Sequence, residues 1–178
     1  MKNAYAGHLK YSFQLRPHTV ADQAYIGAYQ GIGVGYFNFG NPEELGNPLA
    51  VYLFQGGRIA QFSPRISLNY EWNFGASFGW KPYDEYDNPE NQIIGSKVNA
   101  YLNVNLYLKW ALSPKFDLMI GATGSHFSNG NTQYPNSGLN TVDCKVGLVY
   151  NFNRRADELA QSWQRLSFLH SPATSATT

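Results

Sequence analysis

The chain has 178 residues, of which 43% are hydrophobic, 16% aromatic and only 14% charged, with a formal net charge of +1. Ordinary soluble domains carry roughly 25% charge, yet the mean hydropathy is −0.38, so the polarity resides in Asn, Gln, Ser, Gly and Tyr. This balance excludes an electrostatic nucleic-acid binder and charge-driven disorder, and a lone Cys144 excludes an intramolecular disulfide framework or a Cys-based zinc knuckle.

In chain order, residues 1–8 lack the apolar core of a signal peptide, and no later apolar run reaches the roughly 18 residues of a membrane-spanning helix. Residues 8–16 alternate, with Leu9, Tyr11, Phe13 and Leu15 on one face. Residues 24–39 form a Gly-rich second strand, and residues 49–62 a third that Gly56-Gly57 interrupts. The fourth, residues 66–80, sets Ile66, Leu68, Tyr70, Trp72, Phe74, Ala76, Phe78 and Trp80 against Ser67, Asn69, Glu71, Asn73 and Ser77. The fifth, residues 98–112, sets Val98, Leu102, Val104, Leu106, Leu108 and Trp110 against Asn99, Tyr101, Asn103, Asn105, Tyr107 and Lys109. Residues 116–128 and 140–152 complete seven strands. Beyond them, Ala156, Leu159, Ala160, Trp163, Leu166 and Leu169 recur at helical spacing, which predicts an amphipathic helix over residues 153–170. Residues 171–178 read as a disordered Ser/Thr/Ala tail.

Period-two alternation over some fifteen residues is a strand signal, and globular strands usually stop at about 5–6 residues. Long strands with one apolar and one Asn/Tyr-lined face fit a small antiparallel up-and-down transmembrane β-barrel, whose spans need roughly 9–11 residues. Ser63-Pro64-Arg65 and Ser113-Pro114-Lys115 are tight turns, whereas residues 40–48, 81–97 and 129–139 are longer loops. Short periplasmic turns and long extracellular loops orient a bacterial outer-membrane barrel. On that orientation residues 8–16 descend from outside, and an even strand count requires one more ascending strand before them. The expectation is a barrel over residues 8–152 that lacks its first strand. Eight strands leave an interior filled by side chains, which disfavours a porin.

His8, His18 and His170 are isolated, and none has metal-ligand spacing to another. His126 stands in Ser125-His126-Phe127-Ser128-Asn129-Gly130, at the outer end of the sixth strand. The apolar face there runs Phe116, Leu118, Ile120, Ala122, Gly124 and then turns polar at His126 and Ser128. On the next strand the same face begins with Asn140. A hydroxyl beside an imidazole, with a third group to orient the ring, is the arrangement of an activated serine nucleophile. Against this stands a plain reading, since polar side chains at headgroup depth cost only about 0–1 kcal/mol.

The stretch from His126 to Asn140, with its His126-x-Ser128-Asn129 core and Pro135-Asn136-x-Gly138-Leu139 segment, closely resembles the signature of the lipid A 3-O-deacylase family of outer-membrane β-barrels. Asn88-Pro89-Glu90-Asn91 with Ile94-Gly95-Ser96, and Leu45-Gly46-Asn47-Pro48, are similar to its acyloxyacyl hydrolase-type members. The resemblance covers about residues 8–152. It implies eight strands and metal-free, cofactor-free hydrolysis of the ester-linked 3-hydroxyacyl chain of lipid A in the outer membrane. It assigns Ser128 as nucleophile, His126 as general base, and Asn129 with the Gly130 backbone as oxyanion donors. The family has a glutamate where this chain has Asn140. Asn140 can orient the imidazole without charge, whereas Asp143 brings charge but has the wrong parity and needs a bulge.

Trp72, Trp80, Trp110, Tyr70, Tyr83 and Tyr86 read as interfacial or lipid-facing aromatics, and Cys144 as a small apolar filler on the lipid face. Glu43-Glu44 and Asp84-Glu85-Tyr86-Asp87 read as solvated acidic loops. Partners expected are lipid A or lipopolysaccharide, outer-membrane lipids and a possible second copy in a homodimer. The competing readings are a non-catalytic structural or adhesion barrel derived from the family, and a soluble lipocalin-like binder with its apolar faces turned inward.

Overall fold

The structure, a computed structural model, describes residues 3–14, 27–152 and 154. Among these the chain is all-β, and no residue is helical. Seven strands follow in sequence: β1 (Tyr5–Gln14), β2 (Tyr29–Asn38), β3 (Gly46–Gln61), β4 (Ile66–Trp80), β5 (Val98–Ala111), β6 (Phe116–Ser128) and β7 (Leu139–Tyr150). Each pairs antiparallel with the next, giving one sheet in the order β1-β2-β3-β4-β5-β6-β7. The sheet rolls into a half-barrel, with β1 and β7 as its edges. At the turn end those edges approach, since the rings of Tyr11 and Phe152 are 6.4 Å apart. The expected helix over residues 153–170 and the tail over residues 171–178 lie outside the described residues, Arg154 excepted.

The two tight turns share one chemistry. Ser63 Oγ accepts the Arg65 and Ile66 N–H groups at 3.3 and 3.1 Å, and Ser113 Oγ accepts those of Lys115 and Phe116 at 3.2 and 3.0 Å. Pro64 and Pro114 pre-set φ for the reversal. The connections over residues 39–45, 81–97 and 129–138 lie at the opposite end.

Strand alternation becomes a two-sided wall. Outward side chains are apolar and exposed: Leu9, Leu53, Phe74, Val104, Val142 and Val146 are all more than half exposed. Inward side chains are buried: Ser67, Asn69, Glu71, Asn73 and Ser77 on β4, and Asn99, Tyr101, Asn103, Asn105 and Tyr107 on β5. A lipocalin-like inversion, with apolar faces inward, is not what the chain adopts.

Two details depart from the simple alternation. β3 runs unbroken through Gly56-Gly57, because Gly56 pairs with Tyr29 and its absent side chain leaves room for the Tyr29 phenol, which a Cβ would meet at 2.3 Å. The register shifts of β3 fall instead between Gly46 and Leu49 and between Arg58 and Ala60. Trp80, expected on the outward face, is buried. Gly79 has φ +87°, a left-handed residue that breaks the pleat, and Trp80 turns inward to donate its indole N–H to Ser77 Oγ at 2.9 Å.

The interior is lined with packed side chains. At the loop end, Phe37, Phe39, Tyr52, Trp80, Tyr101, Phe127 and Ile94 form an aromatic plug. At mid-height, Glu71 pairs with Lys10 of β1 and, at 3.4 Å, with Lys145 of β7, and it accepts bonds from Tyr29 and Asn105. One carboxylate thus links both sheet edges across the interior. Near the turns, Arg154 pairs with Asp117 at 2.7 Å.

Candidate functional site

β6 ends in three residues with different tasks. Phe127 points inward, fully buried, with ring centroids 5.1–5.5 Å from those of Phe37, Phe39, Trp80 and Tyr101. Its neighbours His126 and Ser128 therefore share the outward face, as period two requires. The plug fixes the pitch of this strand end and so the direction of both polar side chains.

Register brings in the third residue. His126 stands directly opposite Asn140 on β7, and His126 Nδ1 lies 2.8 Å from Asn140 Oδ1. An amide oxygen accepts here, so Nδ1–H donates and Nε2 keeps its lone pair. On the other flank Ser128 stands opposite the small Ala100 of β5.

Asp143 stays away from the imidazole. The β6–β7 register is continuous from Phe116↔Tyr150 to Phe127↔Leu139, so no bulge rotates it outward, and its carboxylate accepts from Thr141 Oγ1 at 2.8 Å. The imidazole's partner is neutral.

The loop after β6 is a tight turn followed by a return. Gly130 and Asn131 have φ +65° and +62°, a pair of left-handed residues suited to Gly and Asn. Thr132 Oγ1 donates to Asn129 O at 2.9 Å. Asn129 is the hub of this loop, because its backbone N–H donates to Asn136 Oδ1 at 3.1 Å and its side-chain amide to Gln133 O at 2.7 Å. The structure thus places Asn129 and Gly130 beside Ser128, with both Asn129 donors engaged within the loop.

Gly138, a residue without a role in the spacing argument, borders the site. Its φ is +69°, and a Cβ there would lie 3.2 Å from His126 Cε1 and 3.7 Å from Ser128 Cβ. The imidazole edge and the serine side chain thus flank one point on the Gly138 backbone. Asn136 was missed in the same way. The signal for both lay inside the Pro135–Leu139 segment, but only three-dimensional return of the loop gives it meaning.

Among the described residues no group of three His, Cys, Asp or Glu side chains is placed to hold a metal ion. Cys144 lies exposed on the outward face.

The family model described as lipid A 3-O-deacylase (PagL) matches residues 4–149 of the chain. The chain belongs to the lipid A 3-O-deacylase family. The match covers all seven strands except Tyr150, the last residue of β7, and so includes His126, Ser128, Asn129, Gly130 and Asn140. No curated protein and no solved structure matches the chain. The PagL name carries ester hydrolysis on lipid A, and an all-β sheet with an apolar outer surface suits a family acting on a membrane lipid.

Proposed function

We propose that this protein is an outer-membrane lipid A deacylase, which hydrolyses the ester-linked 3-hydroxyacyl chain by a serine–histidine mechanism. The observation that carries the reading is the outward-facing set at the end of β6. Ser128 and His126 share one face, and Asn140 Oδ1 holds His126 Nδ1 at 2.8 Å.

In this mechanism His126 Nε2 takes the Ser128 Oγ proton as the oxygen attacks the ester carbonyl. The tetrahedral oxyanion is held at the Asn129–Gly130 turn, where the Asn129 amide exchanges its bond to the Gln133 carbonyl for the substrate oxygen. One such donor is worth about 10²–10³ in rate. Collapse breaks the ester C–O bond, and the departing sugar alkoxide takes the proton from His126. Water, deprotonated by His126, then attacks the acyl-Ser128 ester and releases the 3-hydroxy fatty acid. No metal or cofactor enters any step. The apolar outward residues below His126 (Gly124, Ala122 and Ile120 on β6, with Leu102 and Val104 beside them) give the acyl chain a surface that lipid already occupies.

Asn140 favours a second reading. A neutral partner supplies no charge to an imidazolium, as expected of a barrel retained for structure or adhesion after catalysis was lost. Mass spectrometry of lipid A incubated with the protein separates the two. Release of a 3-hydroxy fatty acid, lost in Ser128→Ala and His126→Ala, supports the enzyme. An inert wild type beside an active Asn140→Glu variant supports the relic, and activity retained in Ser128→Ala overturns the nucleophile.

A further inference from the structure

The loop over residues 81–97 contributes nothing to the reacting set, yet it is densely hydrogen-bonded. Asn91 is its centre and is fully buried. Its Oδ1 accepts the Ile93 and Ile94 N–H groups, both at 3.0 Å. Its Nδ2 donates to Lys81 O at 2.7 Å and to Glu44 O at 3.3 Å. Asn88 adds bonds to Glu44 O at 2.9 Å and Pro82 O at 3.0 Å. Ile94 is also fully buried and joins the aromatic plug. The loop is thus pinned from below by Ile94 and from the side by the β2–β3 connection.

Its free edge lies against the loop that returns over His126 and Ser128. Gly138 N–H donates to Ile93 O at 3.3 Å, and Ser137 Oγ donates to Gln92 O at 3.0 Å. Gly95 nests beneath Tyr134-Pro135, where a Cβ would meet Pro135 O at 2.6 Å and Tyr134 O at 2.8 Å. Gly138, held by Ile93, is the residue whose backbone the His126 ring and the Ser128 side chain flank.

We infer that Asn91 is a positioning residue for the reaction: by ordering Gln92–Gly95 it sets the height of Ser137–Gly138 over the imidazole and holds the His126–Ser128 pair in its reactive geometry. The inference rests on the deacylase reading for its chemistry, but the brace itself is a statement about loop order. Misplacement by about 1 Å far from the reacting atoms can cost about 10²-fold in rate, so the expected losses are large for bonds so remote.

The test uses the full chain in detergent micelles with lipid A, following fatty-acid release and amide hydrogen exchange together. Asn91→Asp keeps the acceptor half of the side chain and removes the donor half. Gly95→Ala pushes Tyr134-Pro135 outward from the other side. Ser137→Ala deletes one bond at an exposed residue and leaves the fold intact. The expected result is a kcat lower by about tenfold or more in the first two variants and about threefold in the third, with KM within twofold. Exchange at residues 136–139 rises while that of β5 and β6 is unchanged.

Unaltered exchange in Asn91→Asp and Gly95→Ala overturns the brace. Faster exchange with unaltered kcat overturns positioning, as does a rise in KM alone, which would make the loop a substrate contact. If the wild type releases no fatty acid, the deacylase reading falls, and the exchange comparison still decides whether Asn91 orders the returning loop.

Discussion

Replacing Asn140 by Asp tests whether the contact at His126 takes part in the chemistry. The side chains are isosteric, so an Asp oxygen can occupy the place of Oδ1, 2.8 Å from His126 Nδ1. Only the charge changes. Between a carboxylate and an imidazolium centred about 4 Å away, attraction is about 1 kcal/mol in water and about 4 kcal/mol at an effective dielectric constant of 20. The pair is exposed, so the lower part of that range applies, about 1–2 kcal/mol. Because the imidazolium forms only as Ser128 is deprotonated, this energy lowers the barrier without tightening substrate binding. That corresponds to a kcat about 5- to 30-fold higher, with KM unchanged. Initial rates of 3-hydroxy fatty acid release from lipid A in mixed micelles, measured by mass spectrometry at several substrate concentrations, separate the two constants. Asn140→Ala, which leaves the ring without its partner, falls below wild type. An Asn140→Asp variant that folds and stays within twofold of wild type in kcat would refute the role given to this contact.

Other expectations follow from the interior and the loops. Phe127→Ala removes the plug's central ring and costs about 3–5 kcal/mol, as large core truncations do; urea titration of the reconstituted protein reads the loss, and kcat falls with it as the strand end loosens. Glu71→Ala leaves the partly buried Lys10 and Lys145 ammonium groups without their shared carboxylate, a class of change that costs up to about 3–5 kcal/mol. A lower temperature for the folded-to-unfolded shift on a gel checks it, and Glu71→Gln, which retains hydrogen bonding, falls between. In the 81–97 loop, the N–H groups of Asp87 and Tyr86 donate to Asp84 and hold its carboxyl below the usual carboxylate range. A depressed carboxyl contributes order above its unfolded value and loses it as pH falls through the folded one. The protection factors of the Tyr86 and Asp87 amides, with the intrinsic pH dependence of exchange divided out, therefore hold near neutrality and fall in acid below the ordinary aspartate range. Asp84→Asn flattens that dependence.

Most of the fold was legible because a strand with one apolar and one polar face writes its geometry at period two. β6 spans the same residues in sequence and structure, as does β4 apart from its last side chain. Trp80 was misplaced for a definite reason: a left-handed glycine resets parity, and nothing in the letters of Phe78-Gly79-Trp80 distinguishes it from another pleat. Gly56-Gly57 failed in the opposite sense, since glycines that read as a break make room for the Tyr29 ring. At the site, parity alone sufficed to bring His126, Ser128 and Asn140 to one surface, because side-chain direction in a strand is local. Asn91, Gly95, Asn136 and Gly138 depend on which loop lies against which. That information is non-local, and no spacing rule carries it.

The alternation at Ser125-His126-Phe127-Ser128 also governs how this chain can change length. Moving β6 by one residue would carry His126 and Ser128 into the packed interior and thrust Phe127 outward, since every side chain exchanges faces on a single-residue slip. Insertions or deletions within the strand are thus admissible only in pairs, whereas a change of length in a connecting loop leaves the two faces of the strand unexchanged. Length variation in descendants of this sequence is quantised in the wall and continuous at the rim.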